Sequence, residues 1–282
     1  ADDAEQARPL VMQRFREAPL FCASYMAGRD RAGAHDSVNR AIADLRASDA
    51  ADAALYTMWR VGYTPKPARW LTQDIANHRV SNAALEFLSV GGWALTAPDP
   101  DLFRLVETLL AHPSDAAARA ALDLVHTRTE RDPSPMAGER RALLLRAFER
   151  ASRLDLSSAG FFSYVWQQTA LQLLAEGLTT EAARGAVMVG AGSEYPTHEL
   201  SVVLGACVKA DAAGTWRALE KTLDQREDAV YSLSVALREA GVVNLLPVDL
   251  VDAWVKRDPH RGVEAVHLVS SEGEELPELA RR

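Results

Sequence analysis

Residues 99–125, DPDLFRLVETLLAHPSDAAARAALDLV, constrain the fold more than any other stretch of this chain. They spell two short helices with a turn between them. Asp99 is placed to cap a helix that opens at Pro100, where the ring removes only an amide the first turn could not use. Leu102, Leu105, Val106, Leu109 and Leu110 then recur at helical spacing and make one apolar stripe. His112-Pro113 ends that helix, Ser114 caps the next, and Ala117, Ala121, Leu122 and Val125 repeat the stripe. A single hairpin of this size cannot bury its own apolar face, so it requires neighbours of the same kind.

The remaining sequence carries the punctuation such neighbours need. First helices of successive pairs are expected to begin near residues 37, 65, 100, 135, 180, 212 and 247, mostly about 35 residues apart. Asp36 or Ser37, Asp49, Ser81, Thr179 or Thr180, and Asp211 are candidate caps; Pro65, Pro196, Pro247 and Pro259 are candidate openings. Gly28, Gly177 and Gly241 are candidate ends. The longest helix is expected to start at Ser157 or Ser158 and to stop at Gly177. Phe161, Phe162, Tyr164, Val165 and Trp166 crowd it on all sides, which predicts burial between neighbours or, alternatively, an aromatic groove for a partner.

No alternating strand pattern and no Asn-Gly or Asp-Gly hairpin turn occurs. The expected fold is therefore all-α, an α-solenoid of antiparallel helical hairpins, about seven pairs in number. It would span residues 1–282 as a single helical-repeat domain, with residues 1–62 as an N-terminal subregion. The competing architecture is a compact helical bundle.

Residues 109–122, LLAHPSDAAARAAL, resemble a HEAT-type repeat: paired leucines, a turn proline, an acidic residue, then Arg119 ahead of small and apolar residues. The stretch departs from the motif at His112, where aspartate is common, and at Ala118, where valine is usual. Asp132-Pro133 and Asp258-Pro259 restore the turn dipeptide elsewhere. The resemblance covers the motif in a few hairpins and only the period in the others. It implies a HEAT- or armadillo-like scaffold that presents a long surface to protein partners. A tetratricopeptide does not fit, because its Trp-Leu-Gly-Tyr positions have no counterparts.

Composition narrows the partners. A net charge of -8 argues against general nucleic-acid binding, which needs a basic surface. No apolar run approaches the roughly 18 residues of a membrane span, so no membrane partner is expected. Cys22 and Cys207 have no metal-ligand or disulfide spacing and read as buried thiols in a reducing compartment, which predicts a cytoplasmic location. Lysine occurs only at positions 66, 209, 221 and 256 while arginine abounds, a bias expected of a bacterial GC-rich genome. Residues 20–27, LFCASYMA, lack the polar face of a terminal capping repeat, so the sequence is expected to be an excerpt of a longer protein.

No catalytic motif emerges. His198-Glu199 lacks the second histidine of a zinc protease, since Val202 stands there. Gly190-Ala191-Gly192 has no preceding strand, and Ser193 sits in no nucleophile elbow. His260, Glu264 and His267 share one helix face and form a candidate metal set; the alternative is a solvated outer face with Val263, Val266 and Val269 on the buried side. Arg146, Arg150 and Arg153 follow helical spacing and make a candidate basic ridge for an acidic partner or a phosphate; the alternative is surface pairing, as of Glu149 with Arg153. The expectation is a non-catalytic interaction scaffold or sensor module of a larger bacterial protein. It would bind a protein or peptide on its concave face through Arg146, Arg150, Arg153 and Trp166, with no cofactor. The alternative is a nucleic-acid-binding protein or an enzyme, a HEAT-like glycosylase or a metal-dependent one, on the same scaffold.

Overall fold

The computed structural model describes residues 13–15, 17–48, 50–89, 93–131, 138–157, 160–226, 228–258 and 260–269, with 267 and 269 by backbone alone. Among these residues every regular element is helical and there is no strand. The chain divides into two compact units, residues 1–147 and 148–282. The expected all-α class is what the structure has.

In the first unit the helices are α1 (Pro19–Arg31), α2 (His35–Ala47), α3 (Ala51–Val61), α4 (Pro65–Ala76), α5 (Asn82–Glu86), α6 (Trp93–Thr96), α7 (Asp99–Ala111) and α8 (Asp115–Arg131). Helix α9 (Gly138–Ala151) carries the chain across the division. Packing partners are close in sequence: α1 lies on α3, α4 on α7, α7 on α8, and the short α5 and α6 on α8. The hairpin at 99–125 forms as its pattern predicts. Leu102, Leu105, Val106 and Leu109 are buried in α7, as are Ala117, Ala121, Leu122 and Val125 in α8, and the Ala117 amide donates to Ser114 Oγ over 3.2 Å.

Asp99 does not cap, however. Pro98 occupies the cap position, and the Asp99 carboxylate accepts instead from Arg128 Nη2 at 2.6 Å and Arg140 Nη2 at 3.2 Å. Two guanidinium groups outbid an amide that water can satisfy. A deeper ionic cluster joins α2 to α4. Asp74, 1% exposed, accepts from Arg46 Nε at 2.5 Å and Nη2 at 2.9 Å, and from Arg79 Nη1 at 3.2 Å.

The second unit holds α10 (Phe161–Ala175), α11 (Thr179–Gly192), α12 (His198–Ala210), α13 (Ala212–Leu223), α14 (Ala229–Glu239), α15 (Val248–Arg257) and α16 (Arg261–Val269). Here each helix packs on the next but one: α10 on α12, α12 on α14 and α14 on α16, while α11 lies on α13 and α13 on α15. Residues 176–178, 193–197 and 211 are the short connections between α10 and α11, α11 and α12, and α12 and α13.

Caps at Ser81, Thr197 and Asp211 accept the helix amides of Ala84, Leu200 and Gly214. Gly177 follows α10 with φ of 77°, a backbone state that costs glycine little. Other expectations need correction. Gly28 does not end its helix; it lies inside α1, because nothing in the next three residues breaks the pattern. The longest helix among the described residues is α8, with 17 residues, not the one ending at Gly177. In α16, Val263 and Val266 are exposed and Ala265 and Leu268 are buried, so the apolar stripe faces inward by alanine and leucine instead. Asp49, residues 132–137, Ser158 and Pro259 lie outside the described residues.

Candidate functional site

Helix α10 is buried on one side only. Phe162, Val165, Trp166, Ala170 and Leu173 face the core, whereas Phe161 is 76% exposed and Tyr164 49% exposed. Those two rings lie 5.7 Å apart at the exposed start of the helix. The expectation that neighbours cover this helix all round is thus corrected for its first turn, where α11 and α12 leave one flank open. Tyr195, 63% exposed, stands just ahead of α12, and Tyr231, 59% exposed, lies in the first turn of α14. Phe161, Tyr195 and Tyr231 recur about 35 residues apart at the starts of three helices that stack side by side.

The same flank continues as half-buried Leu171 on α10, Val202 and Ala206 on α12, and Val235 on α14. Residues 161–175 contain no charged side chain at all. The acidic and basic groups of α14 sit at its far end, where Glu239 accepts from Ser201 Oγ at 2.7 Å and Arg238 donates to the Ser234 carbonyl at 3.3 Å. The result is a largely apolar and aromatic face, with Glu194 beside Tyr195 and Glu199 one turn before Val202. Water is a poor solvent for such a surface, and aromatic side chains of this kind anchor protein interfaces.

A second feature opens between α11 and α13. A cavity of about 510 Å³ is lined by the cationic Arg184, Arg217 and Lys221, by the neutral polar Thr180, Thr222 and Gln225, and by the apolar Val187, Met188 and Ala218. Arg217 and Lys221 are one helical turn apart and share a face of α13. No hydrogen bond or ion pair within the described residues engages Arg184, Arg217 or Lys221. The acids of α13 turn elsewhere. Glu220 binds Arg257, and Asp224 accepts from Trp254 Nε1 at 2.8 Å and pairs with Arg261 at 3.0 Å. Only Asp211 lies in the lining, and its carboxylate already accepts from the Gly214 amide at 2.8 Å.

The residues singled out from sequence are placed differently. Arg146 pairs with Glu107 at 3.1 Å and Arg153 with Glu149 at 2.6 Å, both on open surface, and Arg150 is not free either. Trp166 is fully buried, so no partner touches it while the helix stays packed. His260 is exposed at the threshold of α16, where its amide donates to Asp258 Oδ1 at 3.0 Å. Glu264 is half-buried and engaged, and the side chain of His267 lies outside the described residues. No group of three or more histidine, cysteine or acidic side chains that could hold a metal occurs among the described residues.

Two further titratable positions stand out. On α8, burial pushes the Asp123 carboxyl up to about 6 and holds the His126 imidazole below its ordinary value, against the pull of Glu130. Both cysteines are buried, and burial raises the Cys207 thiol to about 12, where it is inert as a nucleophile. No helix of the described residues is long and apolar enough to cross a membrane. No protein family, curated protein or solved structure matches this chain.

The sequence reading missed the cavity because its cations come from two helices about 35 residues apart, and neither helix alone is basic. The available signal was the Arg217–Lys221 pair, one turn apart on one face of α13.

Proposed function

We propose that this chain is a non-catalytic interaction module, an α-solenoid of HEAT-like hairpins that binds a protein or peptide partner through the exposed face of α10, α12 and α14. The observation that carries this reading is the row of Phe161, Tyr164, Tyr195 and Tyr231, solvent-exposed in or just ahead of the first turns of three stacked helices. In a repeat array, binding elements carried on successive hairpins make an extended surface for a partner. The packing of helices on next-but-one neighbours supports the solenoid, and so does the recurrence of about 35 residues. The partner supplies apolar or aromatic side chains, since the face offers them little charge to pair with.

A peptide-display selection on the full chain tests this reading. Selected peptides should be rich in leucine and aromatic residues, and their binding should fall at least about tenfold when Phe161, Tyr164 and Tyr231 are all changed to serine. An equally exposed charge change, Arg153→Gln, should leave binding intact. Peptides that bind the triple variant as well as the parent would overturn the assignment of this face.

A further inference from the structure

We propose that the cavity between α11 and α13 is a binding site for a phosphate monoester carried on an apolar body, independent of the partner face. Three cations in one cavity of an acidic protein repel one another. The acids within reach are committed elsewhere, which leaves the three cations open to an incoming anion. Glu220 and Asp224, on the same helix as Arg217 and Lys221, are held by Arg257, Arg261 and Trp254. Asp211 leaves the lining with a net of two positive charges. The net positive lining suits an anion.

The donor set selects among anions. Arg184 and Arg217 bring two planar guanidinium forks, which match the paired oxygens of a phosphate or carboxylate, and Lys221 adds a point charge. The hydroxyls of Thr180 and Thr222 and the amide of Gln225 add neutral donors to the lining. A carboxylate has two oxygens to share among these groups. A phosphate monoester has three, and about two negative charges at neutral pH to balance the two positive ones.

Size and lining say that the phosphate is not alone. About 510 Å³ lies in the range of organic ligand sites, and Val187, Met188 and Ala218 add an apolar part to the lining that a bare ion cannot use. The ligand is thus an esterified phosphate whose organic part meets those apolar residues. Two sources carry this chemistry, a small phosphorylated molecule and a phosphorylated side chain of a peptide.

Titration calorimetry of the full chain with phenyl phosphate tests the proposal. One saturable site is expected, tighter than for inorganic phosphate or phenol, and weakened by added salt. Arg184→Gln and Arg217→Gln should each weaken it at least about tenfold, as loss of a bidentate contact does, while Arg146→Gln leaves it unchanged. These arginines are exposed, so thermal unfolding of the variants should match the parent. A phosphotyrosine peptide that binds about tenfold tighter than phenyl phosphate would place the source in a protein, and equal affinities would place it in a small molecule. Absence of phenyl phosphate binding, or equal binding by both variants, would overturn the site. The Phe161, Tyr164 and Tyr231 variant should keep full phosphate binding, so this proposal and the peptide-face reading fail separately.

Discussion

Trp166 donates its indole hydrogen to Ser152 Oγ over 2.9 Å, and both residues are fully buried. Ser152 in turn donates to the Phe148 carbonyl at 2.8 Å, and the Phe148 ring stacks on the indole at 5.7 Å. The hydroxyl accepts from one group and donates to another, so a polar pair sits inside an apolar core with both of these needs met. The end of α9 is tied to α10 by this arrangement.

Ser152→Ala should therefore cost about 1–3 kcal/mol, because it strands the indole donor where water does not reach. Trp166→Ala should cost about 3–5 kcal/mol, since it empties a large buried volume as well. Urea unfolding of both variants measures this. A Ser152→Ala loss under about 0.5 kcal/mol would mean that water reaches the indole in the variant.

Two helical glycines should respond in opposite ways to alanine. At Gly185 a Cβ would lie 2.3 Å from the Phe148 ring and 2.9 Å from Ser152 Oγ, inside the cluster just described. Gly28 has open space around it and lies within α1. Gly28→Ala should stabilise by up to about 1 kcal/mol through helix propensity. Gly185→Ala should destabilise by about 1–3 kcal/mol through overpacking, despite the same gain in propensity. Thermal melts that move the same way for both would show that α11 yields without cost.

The Asp74 cluster carries a third expectation. Asp74→Asn removes the charge that holds Arg46, itself only 16% exposed, and Arg79. The loss should be about 3 kcal/mol, the lower end for breaking a buried pair, since Arg79 is 41% exposed and can turn to solvent. Amide exchange in α2 and α4 should quicken first. Exchange that quickens no more there than in α7 would contradict the role of this carboxylate in joining the two helices.

Asp123 makes stability depend on pH. Its folded value, about 6, is above the ordinary 3.8, so the folded state holds a proton that the unfolded chain has released between those values. Its favourable contribution is full below about pH 4 and is lost as pH rises through about 6, a cost of roughly 2–3 kcal/mol at neutral pH. Asp123→Asn should thus be more stable than the parent above pH 6 and indistinguishable near pH 4. His126 works the other way, its stability present above pH 6.5 and lost below it, so the comparison must be parent against variant at each pH. Parallel stability curves for the two proteins would rule out the buried carboxyl as their cause.

The local pattern in the sequence determined the helices themselves. The stripes of α7 and α8, the caps at Ser81, Ser114 and Asp211, and the stop at Gly177 all follow from contacts within a few residues along the chain. Helices α2 and α11, by contrast, begin after Ala34 and Leu178 with no side-chain cap from Asp36, Ser37, Thr179 or Thr180. Spacing also determined which residues of α10 share a face, since a helix sets that by its own geometry. What it left open was which face meets a neighbour. Phe161 and Phe162 are adjacent and chemically identical, yet one is exposed and the other buried, because only the placement of α11 and α12 separates them. Asp99 is a helix cap by pattern and an arginine partner in fact, because Arg128 and Arg140 reach it from residues distant in sequence. Arg184, Arg217 and Lys221 form one cavity only once α11 lies beside α13. Backbone hydrogen bonding and capping act over a turn or two and leave their mark in short stretches of sequence. Burial and electrostatics depend on distance through space, and that distance exists only when the chain has packed.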